Sequence, residues 1–177
     1  MIKTKKELLD ASLTIKTTFT LALTLMPMID RKEYDEVLQD LSSTNTNVAA
    51  LQKNLTTHKK QLITWYFNTQ LLNSIREYVE TVKDYCCQNN GSINYNIFYS
   101  DNTITFARYI RNCISHGLTF SFRKQDIKRV QTNPPRWRGK IIDCTLNGKP
   151  FSTSFMNHQD VIDLLNDLEA IITDKIT

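Results

Sequence analysis

Glycine and proline are scarce in this chain, with 4 of each among 177 residues. Because these two residues most often interrupt regular structure, their rarity leaves long stretches without turns and predicts a mainly helical protein. It also excludes a glycine-rich phosphate-binding loop. Hydrophobic residues make up 41% of the chain and charged residues 23%, the balance of an ordinary globular protein. The length fits a single domain spanning residues 1–177.

Metal-binding residues are few and scattered. The 4 cysteines include the adjacent pair Cys86-Cys87, and no Cys-x-x-Cys pattern is present. The 3 histidines have no carboxylate at ligand spacing. We therefore expect reduced thiols, no metal site and no cofactor.

Long apolar runs are missing as well. No stretch is apolar over the ~20 residues that a membrane span needs. Three lysines near the N-terminus precede an apolar run from Phe19 to Leu25, as in a secretory signal, but Glu7 and Asp10 interrupt that pattern. The sequence thus predicts a cytoplasmic protein without a membrane segment.

Apolar residues at three- and four-residue steps predict the helices. One helix begins near Leu8 and ends at Pro27, and an alternating strand pattern over Phe19–Leu25 is the less extensive match. Asp30 is the expected N-cap of the next helix. A seam from Val48 to Cys86 predicts one long helix, or two that are broken near Thr56-Thr57.

In the second half of the chain, apolar residues repeat with a helical period in some segments and alternate as in strands in others. Residues 88–100 are rich in asparagine and are expected to form a loop. A helix is predicted over 101–116 with Gly117 ending it, and Asn157 is expected to cap the final helix. Three strand-like runs lie between them, at 118–122, 140–146 and 151–155, with a hairpin turn at Asn147-Gly148. The predicted fold is an up-and-down bundle of about five helices, with a small antiparallel sheet inserted at about 118–155.

The helix over 101–116 carries an unusual polar face. At about 100° per residue, the residues of one stripe share a side, and core residues such as Phe106 and Ile110 lie opposite. Solvated faces ordinarily favour lysine and glutamate, and this helix has neither. The stripe consists of two arginines, an amide, a hydroxyl and an imidazole: Arg108, Arg111, Asn112, Ser115 and His116.

These residue types suit phosphoryl transfer within RNA. An imidazole exchanges protons near neutral pH, so His116 is the expected general acid or base. Arginine stays charged and donates in a fork, so Arg111 would stabilise the negative phosphorane. Asn112 could orient either partner, and Arg108 and Ser115 are expected to support them.

The segment Arg111-Asn112-Cys113-Ile114-Ser115-His116 resembles the motif of the HEPN superfamily, an arginine followed after four to six positions by a histidine. The resemblance covers this helix closely and the rest of the chain loosely. It implies a small helical bundle and a metal-independent endoribonuclease of toxin–antitoxin or antiviral defence systems. It also implies a homodimer in which two copies of the motif build one site, and a possible antitoxin or other regulatory protein as a partner.

A basic segment follows the motif. Between 123 and 140, seven basic residues stand against the single acid Asp126. The segment is either an RNA-binding surface with a stacking ring, or a solvated loop with Trp137 packed on the sheet. The expected RNA-binding residues are Arg123, Lys124, Lys128, Arg129, Arg136, Trp137 and Arg138.

Two hypotheses compete with an endoribonuclease. The same motif could belong to a non-catalytic HEPN-like module that binds RNA or a protein without cutting. Alternatively, Arg111 and His116 could only satisfy a polar interface of a helical subunit. Structurally, Arg111 could be a solvated arginine and His116 a helix-capping histidine.

Overall fold

The computed structural model describes residues 2–28, 31–44, 46, 49, 58–89, 91–152 and 154–177. These residues contain seven α-helices and one two-stranded antiparallel sheet, which confirms the predicted mainly helical fold with a small sheet. The helices are α1 (Lys5–Leu25), α2 (Lys32–Thr44), α3 (Lys59–Cys86), α4 (Ile93–Ser100), α5 (Asn102–Ser115), α6 (Lys124–Thr132) and α7 (His158–Lys175). The strands are β1 (Arg136–Trp137) and β2 (Lys140–Ile141).

The chain divides into two compact units, one formed by Met1–Lys16 with Leu72–Thr177 and the other by Thr17–Leu71. In the first unit, α5 supplies the central buried face and packs against α4, β1 and α7. Phe106 of α5 lies 5.7 Å from the ring of Trp137 and 6.3 Å from that of Phe155, centroid to centroid. All the candidate site residues belong to this unit.

In the second unit, the apolar period of α1 continues through the buried side chains of Phe19 and Ala22. Helix therefore prevails over strand here, and α1 ends at Leu25 just before Pro27, as predicted. Asp30 and the segment 50–57 lie outside the described residues. The expected cap and the choice between one seam helix and two stay predictions.

The expected loop over 88–100 was wrong in its second part, where α4 forms. Ser92 begins this helix by accepting a hydrogen bond from the backbone N–H of Tyr95, at 3.1 Å. The asparagines favour turns, but the burial of Phe98 against the core outweighs that local preference.

The segment 118–155 differs most from the expected arrangement of strands. It contains α6, and its sheet joins β1 to β2 with Trp137 opposite Lys140. The hairpin turn is Arg138-Gly139, whose positive φ angles of 43° and 80° match a two-residue type I′ turn. Asn147-Gly148 instead follows a short 3₁₀ helix, Cys144–Leu146, whose last turn Asn147 caps.

In the described chain the run Leu118–Phe122 belongs to neither strand of the sheet. Leu118 has a left-handed φ of 63°, and Thr119 forms an isolated antiparallel bridge with Pro150. Phe120 N donates to the carbonyl of Lys149 at 2.9 Å, and Phe151 N donates to that of Leu118 at 2.7 Å. Phe120 and Phe122 are buried, whereas Leu118 is 38% exposed.

Candidate functional site: the polar face of α5

Both ends of α5 are set by local chemistry. Asp101 Oδ1 accepts hydrogen bonds from the backbone N–H groups of Thr103 and Ile104, at 2.9 and 3.2 Å. At the other end the N–H of His116 closes the last turn, and Gly117 follows with φ +68°. Space is open around Gly117, so its backbone angle is what favours glycine there.

The sequence-derived stripe is present along α5, but its members differ in exposure. Arg108, Arg111 and Asn112 are half-buried, whereas Ser115 and His116 are exposed. The opposite side, including Phe106, Ile110 and Cys113, is buried. Burial raises the pKa of the Cys113 thiol to about 12, so the cysteine inside the motif is a core residue and not a nucleophile.

Arg111 is held by partners within its own chain. Its Nη2 lies 2.5 Å from Oε1 of Glu80 on α3, and its Nη1 donates to Oδ1 of Asn112 at 2.9 Å. Its Nε is buried without a hydrogen-bond acceptor in the described part of the chain. Glu80 also pairs with Lys83 at 3.4 Å, so one carboxylate serves two cations. The guanidinium is thus fixed in place without full neutralisation of the local charge.

His116 is the exposed member of the proposed pair. Its backbone N–H binds the carbonyls of Asn112 and Cys113, at 3.1 and 3.2 Å, while its side chain faces solvent. Five helical steps of about 100° and about 1.5 Å separate it from Arg111. The two side chains therefore leave the helix about 140° apart and about 7.5 Å apart along its axis. In a single copy of the helix, the side chains of Arg111 and His116 therefore do not point toward one phosphate.

Arg108 lies beneath the aromatic residues of α4. Its guanidinium carbon is 4.5 Å from the ring centroid of Tyr99 and 5.0 Å from that of Phe98. The stripe therefore has two differently held arginines, one paired with a carboxylate and one stacked on rings.

The structure divides the basic segment into two groups. The first presents exposed cations on or beside α6 and on β1: Arg123, Lys124, Lys128, Arg129 and Arg136. None of these five has a carboxylate within ion-pair distance among the described residues. Their positive charges are therefore not balanced by ion pairs within those residues.

Trp137 and Arg138 form the second group, and the structure corrects the expected role of Trp137. The Trp137 side chain is only 4% exposed and its Nε1 donates to Asp167 at 2.8 Å, so the ring is not available to stack on a base. Arg138 pairs with Asp163 at 2.5 Å and with Asp167 at 2.8 Å. Its two ion pairs connect the hairpin to α7, and a role in binding RNA stays a prediction for this residue.

Sequence reasoning missed Glu80 and Tyr99. Glu80 reaches Arg111 from a distant helix, and no spacing in the sequence signals such a contact. Tyr99 fell in the segment expected to be a loop. The signal available for it was the four-residue step from Tyr95, which places the two rings on one helical face, with centroids 4.7 Å apart.

Within the described ranges, no group of three or more His, Cys, Asp or Glu residues could hold a metal ion. The helices in those ranges include none with the length and apolar character needed to cross a membrane. No family model, curated protein or solved structure matches this chain. The likeness to the HEPN superfamily therefore stays a prediction that rests on the motif.

Proposed function

We propose that this protein is a cytoplasmic endoribonuclease that acts as a homodimer. Its catalytic residues are Arg111 and His116, and Asn112 assists them. The observation that carries the proposal is the contrast between two residues of this helix end: an exposed imidazole at the C-cap, and a guanidinium that Glu80 and Asn112 hold in place. A preorganised cation near a free proton-transfer group is what phosphoryl transfer in RNA requires.

The reaction is an attack of the ribose 2′-oxygen on the adjacent phosphorus. One His116 takes the proton of the 2′-hydroxyl, and Arg111 stabilises the negative charge of the phosphorane. The bond from phosphorus to the 5′-oxygen then breaks, and the same, now protonated, His116 gives its proton to that oxygen. The products are a 2′,3′-cyclic phosphate and a 5′-hydroxyl. The HEPN resemblance implies that no metal ion takes part.

The HEPN resemblance implies a second copy, and the geometry within one chain supports that part of the proposal. Because Arg111 and His116 leave α5 in directions about 140° apart, each catalytic pair takes its arginine from one copy and its histidine from the other. A two-fold axis beside this face of α5 would bring two such pairs into one cleft. The HEPN resemblance adds toxin–antitoxin or antiviral defence as the biological setting, with an antitoxin or regulatory protein as a further partner.

The direct test is incubation of purified protein with labelled single-stranded RNA in EDTA. We expect cleavage by the wild type, products with 2′,3′-cyclic phosphate ends, and loss of cleavage in Arg111→Ala and His116→Ala. Matched controls are Arg76→Ala and His58→Ala, which remove exposed residues of the same types on or beside α3. RNA that stays intact with the wild type, or cleavage that survives both site substitutions, would overturn the proposal.

A non-catalytic RNA-binding module is the second candidate, and the Arg111–Glu80 ion pair favours it. An arginine already bound to a carboxylate in its own chain has less free charge for a transition state. In that case RNA is retained without being cut, and His116→Ala leaves the retention unchanged.

A further inference from the structure

Arg108 lies against aromatic rings and has no partner acid in the described part of the chain. It is half-buried against the rings of Phe98 and Tyr99, and its Nη1 is buried with no acceptor among the described residues. No carboxylate in those ranges lies within ion-pair distance of it. Loss of solvation lowers the pKa of Arg108, although the nearby Tyr99 opposes the change. A buried N–H group without an acceptor costs folding free energy, so the fold alone gains little from this arginine.

A second arginine approaches the same tyrosine from α6. The Nη2 of Arg129 donates to the backbone carbonyl of Tyr99 at 3.2 Å, and the rest of its exposed side chain stays free of acids in the described chain. The positive charges of Arg129 and Arg111 also act to lower the pKa of Arg108, which places all three in one electrostatic neighbourhood. Arg111 is paired with Glu80, whereas Arg108 and Arg129 have no acid within ion-pair distance in the described chain. Two arginines arranged in this way suit an anionic ligand.

We propose that Arg108 and Arg129, converging on Tyr99, form a site for a phosphodiester of single-stranded RNA. The planar forks of two guanidinium groups match the oxygens of one phosphate. This inference rests on the proposed action on RNA and deepens it, because it names where the strand is held outside the Arg111–His116 pair.

The surroundings favour a polymer over a single phosphate ion. Lys124 and Lys128 are four residues apart on α6 and both exposed, so they add positive charge on one side of the helix that also carries Arg129. The ring of Tyr95 lies 4.7 Å from that of Tyr99, tilted by 48°, and Tyr95 is half-buried, so its accessible part provides an aromatic surface next to the phosphate site. Several cations with a neighbouring ring suit a flexible strand that carries both phosphates and unpaired bases.

The test is RNA binding by the full chain in the His116→Ala background, where the proposed cleavage does not interfere. Fluorescence anisotropy with a short labelled single-stranded RNA would compare Arg108→Gln and Arg129→Gln with Arg76→Gln. The control makes the same charge change at an exposed arginine of α3. We expect each site variant to weaken binding by roughly tenfold and to reduce the salt dependence by about one released counterion. The control should change affinity by less than about twofold.

Competitors identify the ligand chemistry. Inorganic phosphate and polyglutamate, at matched ionic strength, should displace the RNA far less well than unlabelled RNA does. Displacement as effective as that by RNA would overturn the proposal, in favour of an isolated-anion site or an acidic protein partner. Equal binding by the two site variants and the control would overturn it as well. Arg129→Gln alters an exposed side chain, so its result stands even if Arg108→Gln folds poorly.

Failure of this inference is distinguishable from failure of the proposed function. RNA binding that depends on Arg108 and Arg129, in a wild-type protein that never cuts RNA, would retain the site and remove the endoribonuclease. If cleavage requires Arg111 and His116 but RNA binding does not depend on Arg108 and Arg129, the endoribonuclease is retained and the phosphodiester site is rejected.

Discussion

Arg108 and Arg111 provide a paired test of which arginine the fold needs. Both are half-buried on α5, but only Arg111 has a carboxylate partner. We consider the same change at each position, Arg108→Met and Arg111→Met. Methionine keeps an unbranched side chain of similar reach and removes the charge.

The structure gives opposite expectations for the two variants. At Arg108, the substitution forfeits ring contacts worth about 0.5–1 kcal/mol each and relieves an unpaired buried N–H that costs about 1–3 kcal/mol. Methionine also regains part of the aromatic contact through its sulfur. We therefore expect the free energy of unfolding to be unchanged or raised by up to about 2 kcal/mol. At Arg111, losing the contacts with Glu80 and Asn112 costs more stability than removing the buried Nε–H group restores. We therefore expect the free energy of unfolding to fall by about 1–2 kcal/mol.

Urea denaturation followed by far-ultraviolet circular dichroism measures both values. A loss of more than about 1 kcal/mol in Arg108→Met, or equal losses in the two variants, would refute the reasoning. In that case Arg108 would be a structural residue, and the argument that its unpaired charge is kept for a ligand would fail.

Three further outcomes follow from burial and charge. His116→Ala should leave the free energy of unfolding within about 0.5 kcal/mol of wild type, because the side chain is exposed. A larger decrease in the same urea experiment would contradict a purely chemical role for His116. Iodoacetamide at neutral pH should label the half-buried Cys87 and Cys144 before Cys86 and Cys113, because burial raises the pKa of each of the latter two thiols to about 12. Peptide mass mapping identifies the labelled cysteines, and equal labelling of all four would count against the packing of α5. Hydrogen bonds from Thr145 lower the pKa of Asp143, so this carboxylate stabilises the fold above its unfolded pKa, and that contribution fades as pH falls through the lower folded pKa. The melting temperature of the wild type should therefore exceed that of Asp143→Asn at neutral pH, and the difference should shrink below about pH 4. A difference in melting temperature that persists in acid would disagree with this account.

The helices were predictable where a repeating apolar face dominates. For α1, α5 and α7 the three- and four-residue steps, with Gly117 after α5 and Asn157 as the cap of α7, gave nearly the observed bounds. For α4 the local asparagines suggested a loop, and only the tertiary burial of Phe98 decides the outcome. The hairpin position was misjudged because Asn147-Gly148 has the stronger turn chemistry, whereas Arg138 adopts its positive φ while its side chain pairs with Asp163 and Asp167.

The candidate site was predictable as a set of residues but not as an arrangement. Helical periodicity placed Arg108, Arg111 and His116 on the polar stripe of one helix, and in the structure the two arginines lie on α5 with His116 as its C-cap. It could not distinguish the carboxylate-bound arginine from the ring-stacked one, since Glu80 and Tyr99 come from other helices. For the same reason Trp137 had two open interpretations until its bond to Asp167 was seen.

Mixing two inactive variants tests the central claim most directly. Arg111→Ala and His116→Ala are unfolded together, refolded as a mixture, and assayed for RNA cleavage in EDTA beside each variant alone. If each catalytic pair joins an arginine of one copy to the histidine of the other, half of the dimers are mixed and retain one intact pair of two. The mixture should therefore recover about a quarter of wild-type cleavage while each variant alone shows none. A mixture as inactive as its components, beside an active wild type, would contradict a site shared between two copies of α5.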